Sequence, residues 1–522
     1  MRARELAIGV DIGTTETKAL AIDPAIDPSG GTGGDSLGGR RVGFARRPTT
    51  WVKHPGGRVE TTGEALFADV LGAVSAAVRD AEAQAGGPVR VTGIGLAGLA
   101  ESGVVLDPAG RPSTPVIAWF DQRGATELAQ LAQRDAEFAA EFSGRVGLAM
   151  DAQCTLAKLL WLRGTGVGSS SGASWVGATP GAQWLNIPEY VAHTLGADRV
   201  TEPSLAARTG LVDASTGLAW AAALDQVGVG AGFLPPVLPA GHTAGRVTHP
   251  DAPAALRGAA ITVVGHDHPV AAVGSGATGP NVLFNSTGTA DVLLRSVPRG
   301  LTTQERAQLV AAGYSAGAHV LPGYAALIGS VRAGLVLGRV LDLLGRADLA
   351  ARRELDARWR PGSAAGSAAG SAAGSAAGSA AGSVRVTGAL QTDTEVVIRI
   401  TDGASPDAVW AAALAHISAV TAGLVGSAER IVGEHRDAVA AGGWVGLSSV
   451  RASKSQIIPR LRFAAIDQPG AYGAALFAAW AGAGNPVPFH EFSDRPRPDR
   501  PSGKAGNAGN AKVAQPEEAT NW

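Results

Sequence analysis

The residue types best suited to chemistry gather in two short turns. Asp11-Ile12-Gly13-Thr14-Thr15 follows a β-prone run at 5–10 and precedes an apolar run at 17–22. Successive backbone N–H groups at a tight glycine turn form a concave anion site, and the hydroxyls of Thr14 and Thr15 add donors. A carboxylate just before such a turn, here Asp11, is suited to hold hydrated Mg²⁺ against phosphate oxygens, and Lys18 adds positive charge. The same residues also make an ordinary hairpin. A related turn, Thr287-Gly288-Thr289, is flanked by hairpin-like runs at 282–286 and 290–295. One such turn per half suggests two phosphate clamps facing a shared cleft. Neither fits the Gly-x-x-x-x-Gly-Lys-Ser/Thr pattern of a Walker loop.

Three further strings carry weight. Gly265-His266-Asp267-His268 ends a strand at 261–264, and a carboxylate there can accept a proton from a hydroxyl attacking a γ-phosphorus. Asp267 could instead cap a helix starting at Pro269. Metal ligation by the His-Asp-His run is disfavoured, because consecutive side chains are expected to point apart. Ala441-Gly442-Gly443-Trp444 follows an apolar run, and its glycines would let a flat ring approach the backbone; a helix-entry turn is the plainer reading. A GxGxxG-like string spans Gly93 to Gly98 but opens no helix and has no suitable acid downstream, which argues against a dinucleotide site.

The elements that must position these residues are legible in outline. A helix is predicted over 62–83 from Leu66, Val70, Val74 and Val78, with Thr61 and Glu64 at capping-box spacing. Strands follow at 89–96 and 104–106, and interrupted helical patterns occupy 125–195. The Pro-rich stretch 234–239 leads to a domain boundary predicted near 250–258. A Gly/Ser-rich loop is expected at 27–40, and five Ser-Ala-Ala-Gly repeats at 363–382 have linker composition with no face to pack.

Bulk properties narrow the function classes. With 522 residues, 45% hydrophobic and 17% charged, the chain is globular and large enough for two or three domains. A net charge of −1 without a basic block argues against nucleic-acid and membrane-surface partners. The apolar stretches at 89–100 and 260–264 are too short to span a bilayer, and no apolar leader follows Met1. The single cysteine, Cys154, excludes an internal disulfide and fits a reducing, cytoplasmic setting.

In order and spacing, these strings resemble the FGGY carbohydrate kinases, the family of glycerol kinase and xylulokinase. The resemblance runs from residue 6 to about 482. It is carried by Asp11–Thr15, Gly95-Leu96-Ala97-Gly98-Leu99-Ala100-Glu101, Trp119-Phe120-Asp121-Gln122-Arg123, Gly265-His266-Asp267, Ser286–Thr289, Gly442-Gly443 and the run from Gly470 to Leu476. It implies an α/β fold of two actin-like, ribonuclease H-like domains with nucleotide and sugar in the cleft between them. The expected division is 1–255 on the sugar side, 256–485 on the nucleotide side and 486–522 as a disordered tail. The implied reaction is transfer of the γ-phosphoryl of ATP to a hydroxyl of a small sugar or polyol, with ATP and Mg²⁺ as cofactors.

By the same analogy Asp267 is the general base and Asp11 positions Mg²⁺. Thr14, Thr15, Lys18, Thr289, Gly334 and Gly443 would serve ATP, and Glu101, Trp119, Asp121, Gln153 and His268 the sugar. Gln153 stands where glycerol kinases carry an aromatic wall residue, and Ala100 replaces their Arg before Glu101, which disfavours glycerol. The run 447–454 departs from the family's common adenosine loop, and the Ser-Ala-Ala-Gly insertion has no counterpart there. A homodimer is compatible with this reading. The rival is a non-catalytic ATP-binding sensor or scaffold of the actin-like superfamily, against which stand the acids Glu101, Asp121 and Asp267.

Overall fold

Two six-stranded sheets of the same design carry the chain. In the first, β1 (Arg4–Ile12), β2 (Glu16–Asp23) and β3 (Arg40–Pro48) run antiparallel, and β4 (Val89–Gly98) lies parallel to β1 on its other side. The short β5 (Gly245–Arg246) and β6 (Ala260–His266) complete it, with β6 parallel to β4, in the order β5-β6-β4-β1-β2-β3. The second sheet holds β7 (Val282–Thr287), β8 (Asp291–Val297), β9 (Tyr314–Ala318), β10 (Ala325–Val331), β11 (Asp437–Ala441) and β12 (Leu461–Phe463), in the order β9-β10-β8-β7-β11-β12. Again three strands are antiparallel (β7, β8, β10) and two more continue parallel to the first (β11, β12). This repetition is the two-domain architecture expected of ribonuclease H-like halves. The computed structural model describes residues 3–24, 39–166, 175–360, 384–388, 395–401 and 404–484. The Ser-Ala-Ala-Gly repeats, the predicted tail and most of the 27–40 loop lie outside the described residues.

Helix α1 (Gly63–Ala85) packs Leu66, Val70 and Val74 against the first sheet, each buried, and each such side chain contributes about 1.5–3 kcal/mol relative to exposure. Its cap is Thr62, one residue later than the capping-box spacing suggests, with Oγ1 accepting the Ala65 N–H at 3.1 Å. Helix α2 (Asp267–Gly274) starts two residues earlier than Pro269, so Asp267 lies in its first turn. The remaining helices used below are α3 (Ala333–Leu343), α4 (Pro406–Val432), α5 (Ser448–Ile457) and α6 (Pro469–Ala483). The helical patterns of 125–195 are Ala125–Arg134, Ala136–Val146, Thr155–Thr165 and Ile187–Leu195.

The boundary predicted near 250–258 needs correction. Strand β6 pairs with β4, so the first sheet continues past residue 255 and the second begins only at β7. A proline-rich approach marks a surface loop, and it led here into another strand of the same sheet. The chain also crosses back at its far end, since α6 packs on β1, β4 and α2.

Glycines explain that return. A Cβ on Gly9 would sit 2.0 Å from the Ala471 carbonyl oxygen, one on Gly93 2.1 Å from that of Ala478, and one on Gly95 2.3 Å from that of Ala474. The GxGxxG-like string is therefore a bare strand surface on which α6 lies backbone to backbone. Helix α4 has 27 residues and a mean hydropathy of 1.7 over its most apolar window, enough by length and composition to cross a membrane. Here it buries Trp410, Leu414, Ile417, Leu424 and Val425 in the second core. It also receives hydrogen bonds, Tyr314 Oη donating to the Leu424 carbonyl at 3.0 Å, and Trp410 Nε1 donates to Ser449 Oγ at 3.1 Å.

Candidate active site

The ends of β1, β4, β6 and β7 meet at a cavity of about 540 Å³ between the two sheets. Its wall takes Thr14, Glu101, Trp119, Gln153, Asp267 and His268 from the first part of the chain and Thr289 from the second. Seven residues singled out from the sequence thus converge on one wall.

Asp267 occupies the strand-to-helix junction. Gly265 has φ of +117°, and a Cβ there would meet Ser204 Oγ at 2.5 Å and Glu202 Oε2 at 2.6 Å, so the turn requires glycine. Ser204 Oγ accepts the His266 N–H at 2.9 Å and donates to Glu202 Oε2 at 2.5 Å. Asp267 Oδ1 is buried and has no hydrogen-bond partner among the described residues. His266 Nε2 lies 3.2 Å and His268 Nε2 3.8 Å from that oxygen. The expectation that these side chains point apart is corrected here: alternation holds along a strand, but the chain turns into helix at Asp267, and the three ligand atoms fall within 4.8 Å of one another. Burial holds the His266 imidazole neutral, well below the usual histidine range.

Asp11 stands behind Thr14 at the end of β1. Burial pushes its carboxyl up to about 6, with Lys18 pulling down and the charge of Asp267 pushing further up. Lys18 Nζ is 3.8 Å from Asp11 Oδ2. A Cβ on Gly470 would come within 2.7 Å of that same oxygen, so the first turn of α6 leaves the carboxylate its room. Trp119 Nε1 donates to Thr14 Oγ1 at 2.9 Å, which ties the first turn to the cavity wall. Thr15 is exposed, and neither it nor Lys18 is on the wall.

Glu101 adopts φ of +63°, rare for a residue with a side chain. Its Oε1 accepts from Arg208 Nε at 2.6 Å and pairs with Nη2, while Arg208 Nη1 donates to Ser315 Oγ on β9. Burial pushes Glu101 up, against the pull of Arg208.

Around the second turn the backbone is tightly constrained. A Cβ on Gly334 would lie 1.9 Å from the Gly288 carbonyl oxygen, and Leu335 N–H donates to the Thr289 carbonyl at 3.0 Å, so α3 is pressed onto the turn. Gly442 has φ of +119° and meets Thr287, whose Oγ1 donates to the Ala441 carbonyl at 3.0 Å. Beneath lies a buried knot: Lys454 Nζ donates to Asn285 Oδ1 at 2.7 Å and to Asp291 Oδ2. Gly443 is different, with open space where its Cβ would be. Gly334 and Gly443 both lie off the cavity wall.

Asp121 does not belong with the sugar-side residues, a correction to the sequence reading. It is 2% exposed, and its oxygens accept the Val59 N–H at 2.6 Å, the Arg123 N–H at 2.8 Å, and Arg123 Nε and Nη2 at 3.0 and 2.8 Å. These bonds hold its carboxyl below the usual range in spite of burial. Its task is to fix the loop that presents Trp119, aided by Lys158, which donates to the Asp121 and Ala152 carbonyls.

Arg208, Glu202 and Lys454 were missed from the sequence. No local pattern sets them apart: Arg208 and Lys454 act on partners 107 to 169 positions away, and Glu202 bears on the base turn only through Ser204, which accepts the His266 N–H. An Arg two residues past an alanine-capped turn or a Lys in an amphipathic helix reads as surface.

No curated protein matches the chain by sequence. Solved structures resemble it along nearly its whole length. A xylulose kinase from Brucella ovis aligns with a TM-score of 0.74 at 21% identity, over 94% of this chain and 92% of that one. A Plasmodium falciparum glycerol kinase with ADP gives 0.73 at 15% identity, over 94% of each chain. A gluconate kinase from Lactobacillus acidophilus gives 0.71 at 17%, over 94% and 93%. These identities establish likeness of fold. The family profile described as the FGGY family of carbohydrate kinases, N-terminal domain, matches residues 6–274, more than half of the chain. The protein therefore belongs to the FGGY carbohydrate kinases.

Proposed function

We propose that the cavity binds a small neutral sugar or polyol and that ATP donates its γ-phosphoryl group to one of its hydroxyls, with Asp267 as general base. The observation that carries this reading is the buried Oδ1 of Asp267, which accepts no hydrogen bond among the described residues, on a wall shared with both Gly-Thr turns. An unsatisfied buried acceptor costs about 1–3 kcal/mol, a cost that a substrate hydroxyl donating to it would offset. In the reaction that hydroxyl attacks the γ-phosphorus while Asp267 takes its proton. Thr14, Thr289 and the turn N–H groups serve the phosphates, with Thr15 and Lys18 beside them, and Glu101, Trp119, Gln153 and His268 serve the sugar. Gly334 shapes the second turn, and the open face of Gly443 suits the adenosine.

Mg²⁺ fits the residues present. Asp11 is half-buried with Lys18 Nζ no closer than 3.8 Å, Asp267 Oδ1 is buried with no hydrogen bond among the described residues, and the repulsion between these two carboxyls favours a cation beside them. Asp11 would hold it, and its chemistry would be neutralisation of phosphate charge.

The substrate is read as a ketose or polyol without an acid group. Among the described residues, the acids and arginines on the wall are Glu101, Asp151, Asp267 and Arg208, and that arginine is already paired with Glu101. An aldonate such as the gluconate named for one structural neighbour would meet more negative charge than positive. A cytoplasmic setting agrees with the single, buried Cys154. The test is sugar-dependent ADP release across ketopentoses, ketohexoses, polyols and aldonates. Turnover with a neutral ketose or polyol is expected; ATP binding without turnover on any of them, or turnover on aldonates alone, would overturn the proposal.

A further inference from the structure

We infer that Arg208 is a positioning residue that sets Glu101 for sugar recognition and couples it to the second sheet. The inference rests on the reading of Glu101 as a ligand of a substrate hydroxyl. Three of the guanidinium's donors are committed: Nε and Nη2 converge on one oxygen of Glu101, and Nη1 reaches Ser315 Oγ. Both contacts to Glu101 fall on Oε1, so Oε2 is the oxygen the fork leaves to the substrate. Ser315 in turn donates to the Ile328 carbonyl at 3.3 Å, so the link continues from β9 into β10.

Two observations show that this placement is imposed. Glu101 sits at φ of +63°, a backbone state a glutamate does not choose unaided, and Thr155 Oγ1 donates to its carbonyl at 3.3 Å. Its side chain is 9% exposed and that of Arg208 16%, so the pair is shielded from solvent screening. The residues just before Arg208 do related work. Ser204 accepts the His266 N–H and so holds the turn before Asp267. Ala207 packs close to Gly317, where an added Cβ would come 2.9 Å from that of Ala207. One short segment, 202–208, therefore touches the base turn, the sugar-side acid and the second sheet. Sugar binding that engages Glu101 is felt at Ser315 through a single planar group. Lysine keeps the charge but has no fork with which to hold both partners at once.

The test uses the full chain, Mg-ATP, and the neutral ketose or polyol with the highest ADP release in a panel. Arg208→Lys is expected to raise the sugar KM about 10-fold while the ATP KM stays within about 2-fold. Added to Glu101→Gln, it should raise the sugar KM by no more than about 2-fold, because what Arg208 supplies is the placement of Glu101. Ser315→Ala should raise the sugar KM by about 3-fold with the melting temperature little changed. A 10-fold effect of Arg208→Lys in both backgrounds, an unchanged sugar KM in Arg208→Lys, or both KM values rising together with a fall in melting temperature would each overturn the inference. If Glu101→Gln alone leaves the sugar KM unchanged, the reading of Glu101 fails. If Glu101→Gln raises it and Arg208→Lys does not, only the positioning role fails.

Discussion

Replacing Gly95 with alanine tests how α6 is seated. The added Cβ would lie 2.3 Å from the Ala474 carbonyl oxygen and 3.0 Å from Val264 Cγ2. Ordinary contact needs roughly 3.4 Å, so α6 must retreat by about 1 Å from a surface it otherwise touches at Gly9 and Gly93 as well. A gap of that size forfeits about a quarter to a half of the dispersion energy of each contact across it, and overpacking of this kind typically costs about 1–3 kcal/mol. We expect the upper part of that range, because the obstacle is backbone in a helix that cannot rotate away. That corresponds to a fall in melting temperature of about 4–10 °C. Turnover should fall too, since the same helix leaves room for Asp11 at Gly470. Gly423→Ala is the control: nothing stands near its Cβ in the interior of α4, and it should stabilise by about 0.5–1 kcal/mol. Thermal unfolding by circular dichroism reads both. A Gly95→Ala protein that melts like wild type would refute the close seating of α6 and reopen another purpose for the glycine string.

Two further outcomes follow from buried charge. Burial raises Glu202 to about 8 and Glu189 to about 7, so the folded chain keeps protons that the unfolded chain releases above about 4.5. The stability this contributes is complete below about pH 4.5 and is lost as pH rises through 7 to 8. Glu202→Gln, which cannot ionise, should therefore flatten the fall in unfolding free energy between pH 6 and 9 by an amount on the order of a few kcal/mol, read by urea unfolding across that range; parallel curves for variant and wild type would count against it. Lys454→Met strands Asp291, whose side chain is 3% exposed, and should cost about 3–5 kcal/mol by urea unfolding, with Lys454→Met/Asp291→Asn recovering part of the loss. A single-variant cost below about 1 kcal/mol would show that the knot under the second turn is dispensable.

What could be read from the sequence was whatever local chemistry specifies. The two Gly-Thr turns, the helix of Leu66, Val70 and Val74, and the strand leading to Asp267 all depend on neighbours within a few residues, and the folded chain has them where periodicity and turn residues indicate. Glu101 and Trp119, from the family strings, and Gln153 and His268, assigned by the family analogy, all lie on the cavity wall. Long-range pairing escaped. Nothing near 255 signals that β6 will pair with β4, about 170 positions earlier, so the domain boundary fell short. The family analogy put Asp121 with the sugar because it stands in the Trp119–Arg123 run, and only the fold shows Val59 and Arg123 closing around it. The Gly93–Gly98 string is informative only once α6, nearly 400 residues on, is laid across it.

The central claim is that Asp267 removes the proton from the sugar hydroxyl, and Asp267→Asn measures it directly. Asparagine keeps the shape of the side chain at the start of α2, and the turn before it is held by Gly265, Ser204 and Glu202, which the substitution leaves untouched. It cannot accept a proton, and loss of a general base typically slows a reaction by about 10²–10⁴-fold. Sugar-dependent ADP release should fall by that factor, while thermal shifts produced by the sugar and by Mg-ATP on the same preparation persist. Turnover at the wild-type rate in Asp267→Asn would contradict the claim.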